Sequence, residues 1–330
     1  MAGAVSAQFI HAVNNEADFF PINISSLRLD TVTNFDLFIQ VRPDEPAVLY
    51  AERHIPFTED SRRRLEDNQV ENLYISTGQH GDYRRYLEEN LQDILTDASI
   101  TIDDKSEILH SSAHGIISDV MNSGAIGEGI ERSSELIQCT VDFVFGQRSA
   151  LKHLIQKASR DYFSYTHAVN VAVMGIALAQ RMGYESHRLQ EFGMGAIMRD
   201  IGMSQIDPRI SENPGRLTVN EFEVIKQHPV MSEGMLSDAS TVSSSAMAII
   251  RHHHEKLDGS GYPDGLGGDE IPRLVRLCTM LDIFDALSTE RPYKKAMTSF
   301  EALKLMNKEL RGEIDHELFQ AFVVMLGKPD

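Results

Sequence analysis

The sequence predicts a mainly α protein in which a smaller N-terminal α+β domain precedes a larger all-helical bundle. Three observations carry that expectation. A length of 330 residues suits two hydrophobic cores better than one. Short β-like runs alternate with helical ones between Phe19 and Leu95, and from Leu151 onward apolar residues recur with a period near 3.6. The expected division is an α+β regulatory or interaction domain over 1–100, a helical connector over 101–146 and the bundle over 147–330.

In the first domain, Phe35 to Val41 and Ala47 to Tyr50 read as strands separated by Pro43, Asp44 and Pro46. Thr58 to Leu65 opens as a helix capped by Thr58, with Glu59 and Asp60 placed favourably for its N-terminal dipole. Val70 to Ser76 reads as another strand and Leu87 to Leu95 as helix. The polar stretch Thr96 to Ser106 marks the junction, after which Ile108, Ile116, Ile117, Val120 and Met121 keep helical spacing. Loops are expected at Asn213 to Gly215 and at Asp258 to Gly268, where Gly and Pro interrupt the pattern.

Composition excludes several classes of function. A formal charge of -18 repels a polyanion, so neither DNA, RNA nor an anionic membrane surface is an expected partner, and an anionic ligand needs a local cationic pocket. The 2 cysteines, Cys139 and Cys278, are far apart and lack metal-type spacing. Met1 to Asn14 has no basic leader, and no later run reaches the roughly 18 apolar residues of a membrane span, so a soluble, cytoplasmic protein is expected.

Chemistry shows itself as ionisable residues set inside apolar helical sequence, where burial is costly without a partner. Asp282 lies within Leu277 to Phe284 and Asp200 within Gly195 to Gly202. His167 opens the apolar helix Ala168 to Ala179, and His228 precedes Pro229 at the expected end of a helix running from Asn220. The His252-His253-His254-Glu255 cluster leads into Asp258-Gly259-Ser260-Gly261-Tyr262-Pro263. A lone core histidine is more often hydrogen-bonded than metal-bound. Several imidazoles and carboxylates drawn from different helices instead suit one or two divalent ions, and iron, manganese or zinc would fit. Such a centre activates water for attack on a phosphoester.

His167, Arg199-Asp200, His228, His253-His254, Gly261-Tyr262-Pro263 and Asp282 occur in the order and approximate spacing of the HD-GYP family, which this chain resembles over about half its length. The resemblance implies a bacterial signalling protein whose relatives hydrolyse cyclic di-GMP with two or three metals in a helical bundle. It implies His167 and Asp282 at a first metal, Asp200 as a bridge, and His228, His253 and His254 at a second. The family's Arg-Pro-Tyr-Lys stretch is present as Arg291-Pro292-Tyr293-Lys294, and Arg291 and Lys294 are the expected phosphate-binding and catalytic cations. Tyr262, framed by Gly261 and Pro263, is expected to stack on or hydrogen-bond a guanine. Turn chemistry alone would also explain Gly, Ser and Pro in that loop.

Two positions depart from the family. Arg199 stands where a histidine should ligate the first metal, and a guanidinium has no lone pair to give. Met203 stands where a lysine would face the substrate phosphate. Phe163 replaces a glutamate that some relatives carry, so a third metal is not expected. His252 points about 100° away from its helical neighbour and is not expected to substitute for the lost ligand. Two functional classes remain open: a hydrolase of cyclic di-GMP or a related nucleotide, and a silent cyclic-dinucleotide receptor or scaffold whose N-terminal domain engages a protein partner.

Overall fold

The computed structural model describes residues 19–40, 46–147, 164–211, 213, 215–289 and 295–327. The chain divides into two compact units, 1–101 and 102–330.

The first unit contains a four-stranded antiparallel sheet of order β1-β6-β3-β4, formed by β1 (Phe19–Asn23), β3 (Leu37–Ile39), β4 (Val48–Ala51) and β6 (Asn72–Ser76). The pair β2 (Thr31–Val32) and β5 (Pro56–Phe57) lies outside that sheet. Phe19 to Asn23 was not among the expected strands. The sheet accommodates Pro21 because β1 lies at an edge, opposite Tyr74 of β6. The expected strand at Phe35 contracts to Leu37–Ile39, and Val41 lies outside the described residues. Thr58 caps α1 (Glu59–Asp67) by accepting from the Ser61 amide at 3.3 Å. The helix expected over Leu87 to Leu95 is two helices, α2 (His80–Glu89) and α3 (Leu91–Thr96), which meet at Asn90. Leu27, Phe35, Leu73 and Ile75 form a fully buried core, with Phe35 edge-to-face against Tyr83 and Tyr86 at 5.5 Å.

The second unit is helical. The segment expected as a connector folds into α4 (Ile102–Ser123) and α5 (Ile126–Gly146), which pack into this unit against α6 (Ser164–Arg181) and α7 (Ser186–Met198). A tight turn, Ile201–Gln205, and the short α8 (Pro208–Ser211) follow. Then come α9 (Val219–Ile225), α10 (His228–Leu236), α11 (Ser244–His252), α12 (Arg273–Ser288), α13 (Ser299–Glu309) and α14 (His316–Gly327). His228 begins a helix rather than ending one: α9 stops at Ile225, and Pro229 sits in the first turn of α10, where its missing N–H costs nothing. Thr218 with Glu221 and Thr298 with Glu301 form reciprocal capping boxes that fix the starts of α9 and α13. Among the described residues no helix is long and apolar enough to cross a membrane.

Close helix contact in the bundle depends on missing side chains. A Cβ on Gly175 of α6 would lie 1.9 Å from the ring of Phe192 on α7, and one on Gly195 would lie 2.7 Å from Ile249 of α11. These contacts hold α7 between its neighbours and fix where its C-terminal end delivers Asp200. Gly175→Ala should therefore lower stability by about 1–3 kcal/mol through overpacking, read as a reduced urea midpoint with unchanged slope.

Candidate metal centre

Four helices and one turn bring the predicted residues together. His167 comes from α6, Asp200 from the turn after α7, His228 from the first position of α10, His253 and His254 from the end of α11, and Asp282 from α12. Ligand atoms of Asp200, His228, His253 and His254 all lie within 4.8 Å of one another, and the same holds for His167, Asp200 and Asp282. Asp200 belongs to both groups.

The tautomers of two histidines follow from their partners. Nδ1 of His228 lies 2.8 Å from the Ile225 carbonyl, and Nδ1 of His253 lies 2.9 Å from the Ile250 carbonyl. A carbonyl only accepts, so each Nδ1 carries a proton, and in its neutral form each ring presents a bare Nε2. Those two Nε2 atoms face each other at 3.2 Å, with Oδ1 of Asp200 at 3.3 and 3.5 Å. Two lone pairs and a carboxylate oxygen converging in a buried space require a positive centre between them, either a shared proton or a metal ion. The donor set of three imidazoles and one carboxylate fits a divalent transition metal. Burial, and after it the neighbouring His253, keep the pKa of His254 well below the ordinary imidazole value, so its lone pair is also available. Burial acts likewise on His253.

The carboxylates are held by cations. Burial alone would raise the pKa of Asp200, but the Arg199 guanidinium holds it well below the ordinary range. Burial is outweighed in the same way at Asp282 by His167 and then Arg199. Nε2 of His167 lies 2.9 Å from Asp282 Oδ1, and its Nδ1 lies 2.6 Å from Asp285 Oδ2. Asn170 donates to the other Asp285 oxygen at 2.8 Å. Asp285 and Asn170 escaped the sequence reading, although each lies three residues along a helix from a predicted site residue and so on the same face. Burial would lower the His167 pKa, but the Asp282 charge and the hydrogen bonds to Asp282 and Asp285 raise it to about 9, opposed by Arg199.

Arg199 is fully buried at 0% exposure. Its Nε donates to Asp282 Oδ1 at 3.0 Å and its Nη1 to the Ala196 carbonyl at 2.6 Å, while Nη2 lies 2.9 Å from Asp282 Oδ1 and 3.2 Å from Asp200 Oδ2. Ser232 of α10 fastens the adjoining backbone, donating to the Arg199 carbonyl at 2.7 Å and accepting from the Gly202 amide at 2.8 Å. A Cβ on Gly202 would lie 2.3 Å from the His228 carbonyl, so the close approach of this turn to α10 requires glycine.

The loop after α11 is fixed from inside. Glu255 is buried and accepts from the amides of Asp264, Gly265 and Leu266 at 2.7, 3.0 and 3.0 Å. A Cβ on Gly261 would lie 2.5 Å from Glu255 Cα. The chain doubles back so that the Tyr262 ring stacks on His254 with centroids 4.7 Å apart. Pro263 follows Tyr262 through a cis peptide bond. Burial pushes the Tyr262 phenol up, which keeps it protonated. Next to this ring is a pocket of about 230 Å3 lined in part by Phe222, Lys226, His254, Lys256 and Tyr262. Lys226 pairs with Glu223 at 2.6 Å and Lys256 with Glu313 at 2.5 Å. His252 turns away from the cluster, its Nδ1 lying 3.4 Å from Asp264, which also pairs with Arg251 at 2.8 Å. Arg291 and Lys294 lie outside the described residues, as does Phe163.

A helical bundle with histidines and aspartates from separate helices around a shared carboxylate defines the HD-type metal-binding architecture. A family model described as HD domain matches residues 148–318, and the chain belongs to that family, in its HD-GYP form. The cyclic di-GMP phosphodiesterase PA4108 of Pseudomonas aeruginosa is 32% identical over 222 residues, 67% of this chain and 53% of that protein. The 3'3'-cGAMP-specific phosphodiesterase 3 of Vibrio cholerae is 37% identical over 155 residues, 47% of this chain and 34% of that protein. The chain thus spans about half the length of the first relative and a third of the second. Among solved structures, Bd1817, an HDG"Y"P protein from Bdellovibrio bacteriovorus, matches with TM-score 0.66 and 23% identity, covering 94% of this chain and all of that one, which shows a shared fold.

The His167 arrangement has a pH signature. An imidazole raised from 6.5 to about 9 stabilises the fold fully below pH 6.5 and ceases to do so as pH rises through about 9. In chelator-treated protein the urea midpoint should fall across that window, and His167→Asn should flatten the fall.

Proposed function

We propose that Asp200, His228, His253 and His254 hold a divalent metal ion, iron foremost with manganese or zinc as alternatives, beside a pocket that takes a cyclic dinucleotide such as cyclic di-GMP. The observation carrying this reading is the convergence of the Nε2 atoms of His228 and His253, 3.2 Å apart, beside Asp200. The names of the relatives, phosphodiesterases of cyclic di-GMP and of 3'3'-cGAMP, support the ligand class.

A divalent ion bound there would acidify a coordinated water and polarise a phosphoryl oxygen. The chain's own residues supply the remaining functions. Asp200 orients the centre and fixes its charge. Tyr262, already stacked on His254, offers its outer face and phenolic hydroxyl to a nucleobase. Lys226 and Lys256 bring cationic groups to the pocket of an otherwise acidic chain, and the resemblance adds Arg291 and Lys294 as grips on the phosphates. Signalling through the ligand, with a protein partner at the first unit, completes the reading.

A second reading, a receptor that binds without turnover, is favoured by Arg199 at a ligand position and Met203 at a cation position. The two separate on one experiment: the manganese-loaded chain is titrated calorimetrically with cyclic di-GMP and 3'3'-cGAMP, and the mixture is then resolved by chromatography. Binding should be lost on chelation, and Tyr262→Ala should weaken it about ten-fold through lost base stacking. A linear dinucleotide product marks the hydrolase and unchanged ligand marks the receptor. Absence of binding for both nucleotides with metal present would overturn the ligand class.

A further inference from the structure

We infer that the Arg199 guanidinium is a built-in replacement for a second metal ion, so that the pocket takes one divalent ion per chain rather than two. The inference rests on the proposed centre at Asp200, His228, His253 and His254, and it concerns the adjoining group formed by His167, Asp200 and Asp282.

That second group has metal-ligand geometry, with its ligand atoms all within 4.8 Å of one another. It already contains a cation. Nη2 of Arg199 lies against a carboxylate oxygen from each aspartate, at 2.9 Å from Asp282 and 3.2 Å from Asp200, while Nε donates to the same Asp282 oxygen at 3.0 Å. A guanidinium offers only donors, so it can take the place of a bridging ion between two carboxylates but cannot coordinate one. The remaining contacts fix it there. Nη1 donates to the Ala196 carbonyl in the preceding turn, Ser232 clamps the Arg199 carbonyl, and the side chain has no exposed surface from which to swing aside. A divalent ion entering this group would have to compete for the Asp282 oxygen that the guanidinium contacts twice, and would meet an adjacent positive charge at low dielectric. The other group is less obstructed: Arg199 meets Asp200 at Oδ2, 3.2 Å away, while Oδ1 lies toward His228 and His253. The single acidic side chain shared by both groups is thus divided, one oxygen to arginine and one to metal.

The test loads the full-length chain anaerobically with manganese(II), removes excess by gel filtration, and measures metal per chain by elemental analysis together with the electron paramagnetic resonance spectrum. The wild type should retain one ion with the signal of an isolated manganese(II). Arg199→His should retain two ions with an exchange-coupled signal, and Arg199→Lys, which keeps the charge, should remain at one. Two coupled ions in the wild type would overturn the inference and leave the proposed centre standing. One ion in both wild type and a folded Arg199→His would also overturn it, since the arginine would not be what excludes the second. No ion in the wild type would overturn the centre itself. Should Arg199→His fail to fold, Arg199→Gln, which removes the charge at similar size, carries the same test: a second ion supports the inference and a single ion overturns it.

Discussion

The buried carboxylate of Asp282 is the constraint on which the helical unit depends. It sits in a run of α12 whose neighbours Leu277, Met280, Leu281 and Phe284 are all buried, so an uncompensated charge there would be strongly unfavourable. Compensation comes from two directions at once: His167 on α6 and Arg199 at the end of α7 converge on the same oxygen. The helices that bring those cations are held by contacts in which glycine replaces a larger side chain, as at Gly175 against Phe192. The packing of the bundle and the electrostatics of its centre are therefore one problem. A shift of α7 that relieved a steric contact would also move Arg199 off Asp282.

The shared carboxylate of Asp200 extends this logic outward. Its two oxygens face different chemistries, a guanidinium on one side and paired imidazoles on the other. The imidazoles are themselves disciplined by main-chain carbonyls, Ile225 for His228 and Ile250 for His253, each three residues earlier in the chain. That spacing at a helix boundary is what makes each bond possible: the helix end leaves a carbonyl without its usual amide partner, and the histidine just beyond takes it up. Imidazole orientation is in this sense a by-product of helix termination.

Much of the centre was legible in the sequence because the chemistry is expensive. Aspartates inside apolar helical runs and three consecutive histidines before a glycine-rich turn point to buried polar chemistry, and the six residues expected there lie together in two groups that share Asp200. Less legible was anything set by chain direction or by tertiary pairing. His228 reads as the end of a helix because Pro229 follows it, whereas the same proline serves equally well in a first turn. Strand β1 went unpredicted, and Pro21 is tolerated in it through an edge position that only the sheet order reveals. The identity of Arg199 made it plain that a ligand was missing. Its burial between Asp200 and Asp282 joins two segments far apart in sequence, and no local pattern encodes it.

Glu255 has a consequence for how a ligand would be chosen. Its carboxylate binds three successive amides of the returning loop, and it follows directly on His254, so the tyrosine platform and the histidine cluster are joined by the shortest possible covalent and hydrogen-bonded path. The span between them is consequently a fixed gauge. A molecule engaging both ends would have to match that length on arrival, so selection by rigid dimensions would come before selection by adjustment.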